Sequence, residues 1–147
     1  ANYRHIMSQT NVQFSVALHA MTSLGVLYGK SIRSSDLAGS INADPSFVRR
    51  VISKLAKAGL VSTTRGKSGA CTLARLPAEI TLLDIYNASE APKAFTVHCY
   101  PVTEGCHVSR NIKGCLGTVL QRAQDAFELG LKQQTLADVI DAVENVT

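Results

Sequence analysis

Asp44-Pro45-Ser46-Phe47-Val48-Arg49-Arg50-Val51-Ile52-Ser53-Lys54-Leu55-Ala56-Lys57-Ala58-Gly59 is the stretch on which the fold turns. An Asp side chain accepts hydrogen bonds from the free N–H groups of a first helical turn, and Pro suits the position that follows, so Asp44-Pro45 marks a helix start. The helix is predicted to run to Ala58 and to stop at Gly59. At roughly 100° per residue, Val48, Val51, Ile52 and Leu55 gather on one side as a core-facing stripe. The opposite side carries Ser46, Arg49, Arg50, Ser53, Lys54 and Lys57 without an acid among them. A helix face that only meets water usually mixes Glu or Asp with its bases. Donors alone suit phosphate oxygens and guanine edges in the major groove of double-stranded DNA.

Working outward, apolar residues recur at helical spacing from Thr10 to Leu27 (Val12, Val16, Leu18, Met21, Leu24, Leu27), with Gly29 as a stop. Ser34 or Ser35 caps a short second helix ending at Ile41. After Gly59 come two β-branched stretches, Leu60 to Thr64 and Cys71 to Leu76. The glycines and polar side chains of Arg65-Gly66-Lys67-Ser68-Gly69 suit a hairpin turn between them. Arg65 and Lys67 at its tip are placed to reach a neighbouring minor groove. Three helices and a basic hairpin define a winged helix.

Thr81 and Asp84 open a fourth helix reaching Ser89. Residues 90–110, with Pro92 and Pro101, read as a loop. A long helix is predicted from Ile112 to Leu131, with Leu116, Val119, Leu120, Ala123, Phe127 and Leu131 on one stripe, and Thr135 caps a last helix through Val143. A helix of that length beside a small domain needs an apolar partner; pairing two subunits provides one, and packing within its own chain is the alternative. The expected fold is mainly α with a small β-hairpin: a winged helix-turn-helix domain plus a long C-terminal dimerisation helix. The boundaries are 7–89 for the DNA-binding domain, 90–110 for a cysteine-containing sensor loop, and 111–147 for the dimerisation and C-terminal helices. Residues 1–6 carry no pattern, and Met7 reads as the natural start.

Charge separates along the chain in the same sense. Through Leu76 there are ten Lys or Arg and two acids, a net of +8; from Pro77 there are five against nine, a net of −4. A basic half tied to an acidic half suggests a polyanion-binding module joined to a part with another task. The 147 residues, 46% hydrophobic, suffice for a core. No apolar run approaches the roughly 18 residues of a membrane span. The expectation is a cytoplasmic protein with no membrane association. Four cysteines in such a compartment favour metal or redox chemistry over permanent disulfides.

The segments Ser35-Asp36-Leu37-Ala38, Asp44 through Val61, Arg65-Gly66, Leu73-Ala74-Arg75, Glu79 through Ile85 and Thr135-Leu136-Ala137-Asp138 together resemble the IscR-type regulators, also called the Rrf-two family. The resemblance implies a homodimeric winged-helix regulator, usually a repressor, whose long helices cross at the dimer interface. It further implies that Ser46 and Arg49 read bases and that Arg65 enters the minor groove. The hairpin departs from the family pattern: Gly69-Ala70-Cys71 stands where a glycine pair and an aromatic are usual. That leaves Cys71 as a packing residue.

Cys99, Cys106 and Cys115 lie where cluster-bearing relatives hold a 2Fe-2S or related centre, for which thiolates are the right ligands. Their spacing is looser than the family's cluster pattern. Thr118 stands where a fourth ligand His is usual, and Gln13 where nitric-oxide sensors supply an acid; His98 and His107 are substitutes for that ligand. A second reading is a thiol switch, in which Cys99 or Cys106 ionises, is oxidised and pairs with another cysteine. Zinc on His98-Cys99 and Cys106-His107, and simple packing of Cys115 against the helix, stay open beside these.

The reading is a homodimeric repressor of a pseudo-palindromic DNA site, modulated through cysteine oxidation. The alternatives are an iron-sulfur-dependent regulator of the same fold and a winged helix used for protein interaction. The last would want apolar or acidic residues on the exposed face of the third helix, where bases stand instead. No Cys-x-x-Cys, nucleotide loop or His-Glu metal motif appears, so catalysis is not expected.

Overall fold

The computed structural model describes residues 12–64 and 69–146. Among these residues six α-helices and three short strands follow in the order α1 (Gln13–Val26), β1 (Ile32–Arg33), α2 (Ser34–Ile41), α3 (Pro45–Lys57), β2 (Val61–Thr63), β3 (Ala70–Leu73), α4 (Leu82–Ala88), α5 (His107–Lys132) and α6 (Leu136–Glu144). The architecture is the expected winged helix with a long helix after it. The described chain divides into two compact units, one containing everything up to Pro92 together with Leu131 onward, the other Lys93–Gly130.

In the first unit, α1 supplies Ala17, Ala20, Met21 and Leu24, and α3 supplies Val48, Val51, Ile52 and Leu55, all at most 4% exposed. Each of the Val, Leu, Ile and Met side chains among these contributes about 1.5–3 kcal/mol on burial, the alanines less. Leu27, predicted on the same stripe as Leu24, is instead the C-cap of α1 and 45% exposed. The hairpin strands β2 and β3 pair antiparallel with Ser62 opposite Thr72. A third strand, β1, extends the sheet to the order β1-β3-β2, with Ile32 opposite Cys71. Cys71 is 1% exposed, the packing residue expected, and burial pushes its thiol above the ordinary value of 9.0.

Two capping boxes close the first unit. Thr81 with Asp84 starts α4, and Thr135 with Asp138 starts α6, each hydroxyl accepting from the third backbone N–H while the carboxylate accepts from the cap. The two caps face each other across an antiparallel bridge, with Leu82 N–H donating to the Gln134 carbonyl (2.9 Å) and Leu136 N–H to that of Ile80 (2.8 Å). Sequence adjacency groups the last helix with the long one, but the packing does not. Its buried Leu136 and Ile140 place it in the first unit, packed on α1, where Gly25 leaves space that the Ile140 side chain fills.

In the second unit, α5 begins at His107 rather than Ile112, so the last residues of the expected 90–110 loop are helical. The start is fixed by side chains without apolar periodicity. Cys106 sits at the cap, its Sγ accepting from Ser109 N–H (3.4 Å), and Ser109 Oγ accepts from Thr103 N–H (2.7 Å). The preceding segment is held along α5: Gln124 Oε1 accepts from Ala94 N–H (3.0 Å) and Gln121 Oε1 from Lys93 Nζ (3.0 Å), while Lys113 Nζ donates to the Tyr100 carbonyl.

Candidate functional site

The amphipathic design of α3 carries through. Asp44 caps it, its carboxylate accepting from Ser46 N–H at 3.2 Å, and Pro45 occupies the first turn. With Val48, Val51, Ile52 and Leu55 buried, helical geometry leaves Ser46, Arg49, Arg50, Ser53 and Lys57 exposed and Lys54 partly so. Local contacts orient the two arginines. Arg49 Nη2 donates to Ser46 Oγ at 3.4 Å, and the Arg50 guanidinium lies 5.8 Å from the centre of the Phe47 ring. A cation over an aromatic face is worth about 0.5–1 kcal/mol when exposed, enough to bias Arg50 toward one pose. Phe47 was not singled out in the sequence, although its position three residues before an Arg on a helix allows this contact.

Among the described residues one acid pairs with this face from outside the helix. Glu90 Oε2 lies 3.4 Å from Lys54 Nζ. The face is therefore acid-free along α3 itself, as the sequence indicates, but not in space. Arg65 and Lys67, at the tip of the hairpin, lie outside the described residues.

Cys99, Cys106 and Cys115 are all exposed free thiols, and the His98 and His107 imidazoles are exposed as well. His98 Nδ1 accepts from Tyr100 N–H (3.2 Å), and His107 Nδ1 lies 3.3 Å from Asn111 Nδ2. Because α5 begins at His107, Cys106 and Cys115 are separated by continuous helix, about 13 Å along the axis and roughly half a turn apart in angle. Two thiolates so placed in one chain do not meet at one iron. Among the described residues no group of three or more His, Cys, Asp or Glu side chains is gathered to hold a metal ion. This donor set does not fit a cluster held by the three cysteines of one subunit.

Comparison with known proteins agrees with the fold. Residues 10–142 match the Rrf2 family, described as Iron-dependent Transcriptional regulator. The chain is 33% identical over 132 residues to YwnA of Bacillus subtilis (strain 168), named as an HTH-type transcriptional regulator, covering 89% of this chain and 96% of that protein. The solved structure of a transcriptional regulator from Lactobacillus plantarum superimposes with a TM-score of 0.77 at 26% identity, covering 91% of each chain. CymR, the global cysteine regulator of B. subtilis, shares the fold with a TM-score of 0.64 at 24% identity, covering 90% of this chain and 95% of that one. The chain belongs to the Rrf2 family of transcriptional regulators. It is a DNA-binding winged-helix protein of a regulatory family, not an enzyme. Among the described residues no helix is long and apolar enough to cross a membrane.

Proposed function

We propose that the protein is a cytoplasmic homodimeric repressor that reads a pseudo-palindromic operator through α3 and the hairpin, with its affinity set by oxidation of exposed cysteines. The exposed face of α3 carries the reading: Ser46 and Arg49, near the helix start, contact base edges, while Arg50, Ser53, Lys54 and Lys57 hold phosphates. Arg65 and Lys67 extend the contact into the adjacent minor groove.

Dimerisation is supported by the lack of a core in the second unit. Of its residues only Gln124 is buried, while Val108, Val119 and Leu129 on α5 are 63%, 60% and 56% exposed. A helix that leaves this much apolar surface in water gains from pairing with a copy of itself, and a two-fold pair presents two α3 helices to a two-fold site. Thiol oxidation is favoured over a cluster because Cys99, Cys106 and Cys115 are accessible yet separated.

Selection of bound duplexes from a random pool, with electrophoretic stoichiometry on the winner, tests this function. The expected outcome is an inverted repeat whose half-site centres lie about one helical turn apart, carrying two chains. Recovery of unrelated sequences bound by single chains would contradict it. For the switch, mild oxidant is expected to yield a covalent dimer with altered DNA affinity, and Cys106→Ala or Cys99→Ala to abolish that change.

A further inference from the structure

We infer that the cleft bounded by α1, α2 and α6 is a binding site for a small organic cation with an apolar body. Its volume is about 760 Å³, within the roughly 300–1,000 Å³ typical of small-molecule sites. The walls are mostly aliphatic, including Leu18, Val26, Leu37, Val139 and Val143. Several of these are unsatisfied in the chain alone: Val26, Leu27 and Val143 at the cleft are 41%, 45% and 53% exposed, so an apolar occupant would remove them from water.

The polar groups decide the charge of that occupant. Asp36 lines the cleft, and among the described residues it makes no ion pair. Among the described residues neither Lys nor Arg lines the cleft, although the chain through Leu76 carries ten of them. The cleft thus sets an acid against an apolar surface with no described base beside it, an arrangement that attracts a cation and repels an anion. His19 and Ser40 also line it, tied across α1 and α2 by a 3.2 Å contact between Nε2 and Oγ. Thr22 adds no competing donor, since its hydroxyl donates to the Leu18 carbonyl at 2.7 Å.

Because α2 lies against α3, occupation of the cleft would reach the DNA-reading helix. That consequence rests on the proposed function, whereas the binding itself does not. The test therefore uses the protein without DNA. Methyl-labelled protein is titrated with 2-phenylethylamine, 2-phenylethanol and phenylacetate, which share one apolar body and differ in charge. Saturable shifts at Leu18, Val26, Val139 and Val143 are expected with the amine. Asp36→Asn is expected to weaken the amine about five-fold while leaving the alcohol unchanged, the size of one partly exposed ion pair. Equal affinity for amine and carboxylate, or shifts confined to other methyls, would overturn the proposal. So would broadening of these methyls that appears with protein concentration alone, since a second copy would then fill the cleft.

Discussion

Glu90 pairs with Lys54 across 3.4 Å, bringing an acid from the end of α4 onto the basic face of α3. Glu90 holds a φ of 56°, a left-handed conformation uncommon for a residue with a side chain, so the turn that presents it is specific. The side chains are 33% and 61% exposed, which limits the pair's contribution to stability to about 0–1 kcal/mol. Its larger consequence is competition: a Lys held by a carboxylate must release it to meet a phosphate.

Glu90→Gln is therefore expected to tighten DNA binding several-fold on every duplex, with the melting temperature little changed. Fluorescence anisotropy on specific and random duplexes checks this. Equal affinities of variant and wild type would show that Lys54 takes no part in backbone contact.

Arg49 and Lys57 lie on one face but are assigned different tasks, and their variants should separate. Arg49→Ala is expected to cost about 1–3 kcal/mol on the selected operator and to relax preference at one base position. Lys57→Ala is expected to weaken all sequences alike and to lower the salt slope by about two, one phosphate contact from each subunit of the dimer. Competition binding against a panel of single-base operator variants distinguishes the two patterns.

How much of this was readable without coordinates follows from the range of each signal. Local patterns carried well: Asp44-Pro45 and the stripe of Val48, Val51, Ile52 and Leu55 placed α3, and Thr81 and Thr135 marked their helices through boxes closed within four residues. The strand at Ile32–Arg33 has too few residues to display alternation and exists through its pairing with β3. The start of α5 was placed late because His107-Val108-Ser109-Arg110-Asn111 has no apolar repeat and its cap is a cysteine. Glu90 could not be found at all, since its partner Lys54 is remote in sequence and only the fold joins them. Of the candidate site, the exposed face of α3 was legible from periodicity. The separation of Cys106 from Cys115 was not, because it depends on where α5 begins.

On α5, Val119→Glu places a charge on an apolar position that is 60% exposed in the single chain. Folding of the first unit should be unaffected, because its core draws on none of the residues around Val119. Sedimentation velocity is expected to report a monomer for the variant and a dimer for wild type. A variant that stays dimeric would move the subunit contact elsewhere.

The four cysteines should differ sharply in reactivity. Burial raises the Cys71 thiol pKa above the ordinary 9.0, so its thiolate is scarce near neutrality, and its side chain is closed to reagents. Brief treatment of native, reduced protein with iodoacetamide at pH 7.5 is expected to modify Cys99, Cys106 and Cys115 and to spare Cys71, read by peptide mass spectrometry. The sign of the linked stability follows: a raised native pKa gives a contribution fully present below 9.0 and lost as pH climbs through the native value. Modification of Cys71 at the pace of the others would mean that the core around β3 opens readily.

The most direct measurement is the salt dependence of operator affinity for wild type, for Arg49→Ala/Arg50→Ala/Lys57→Ala, and for Lys132→Ala, an exposed base outside α3. The logarithm of the affinity should fall linearly with the logarithm of salt, by about 0.9 per phosphate neutralised; the slope should be cut by about three to four in the triple variant, which removes Arg50 and Lys57 from both subunits, and preserved in Lys132→Ala. An unchanged slope and affinity in the triple variant would contradict the account, because DNA would then be held by some other surface.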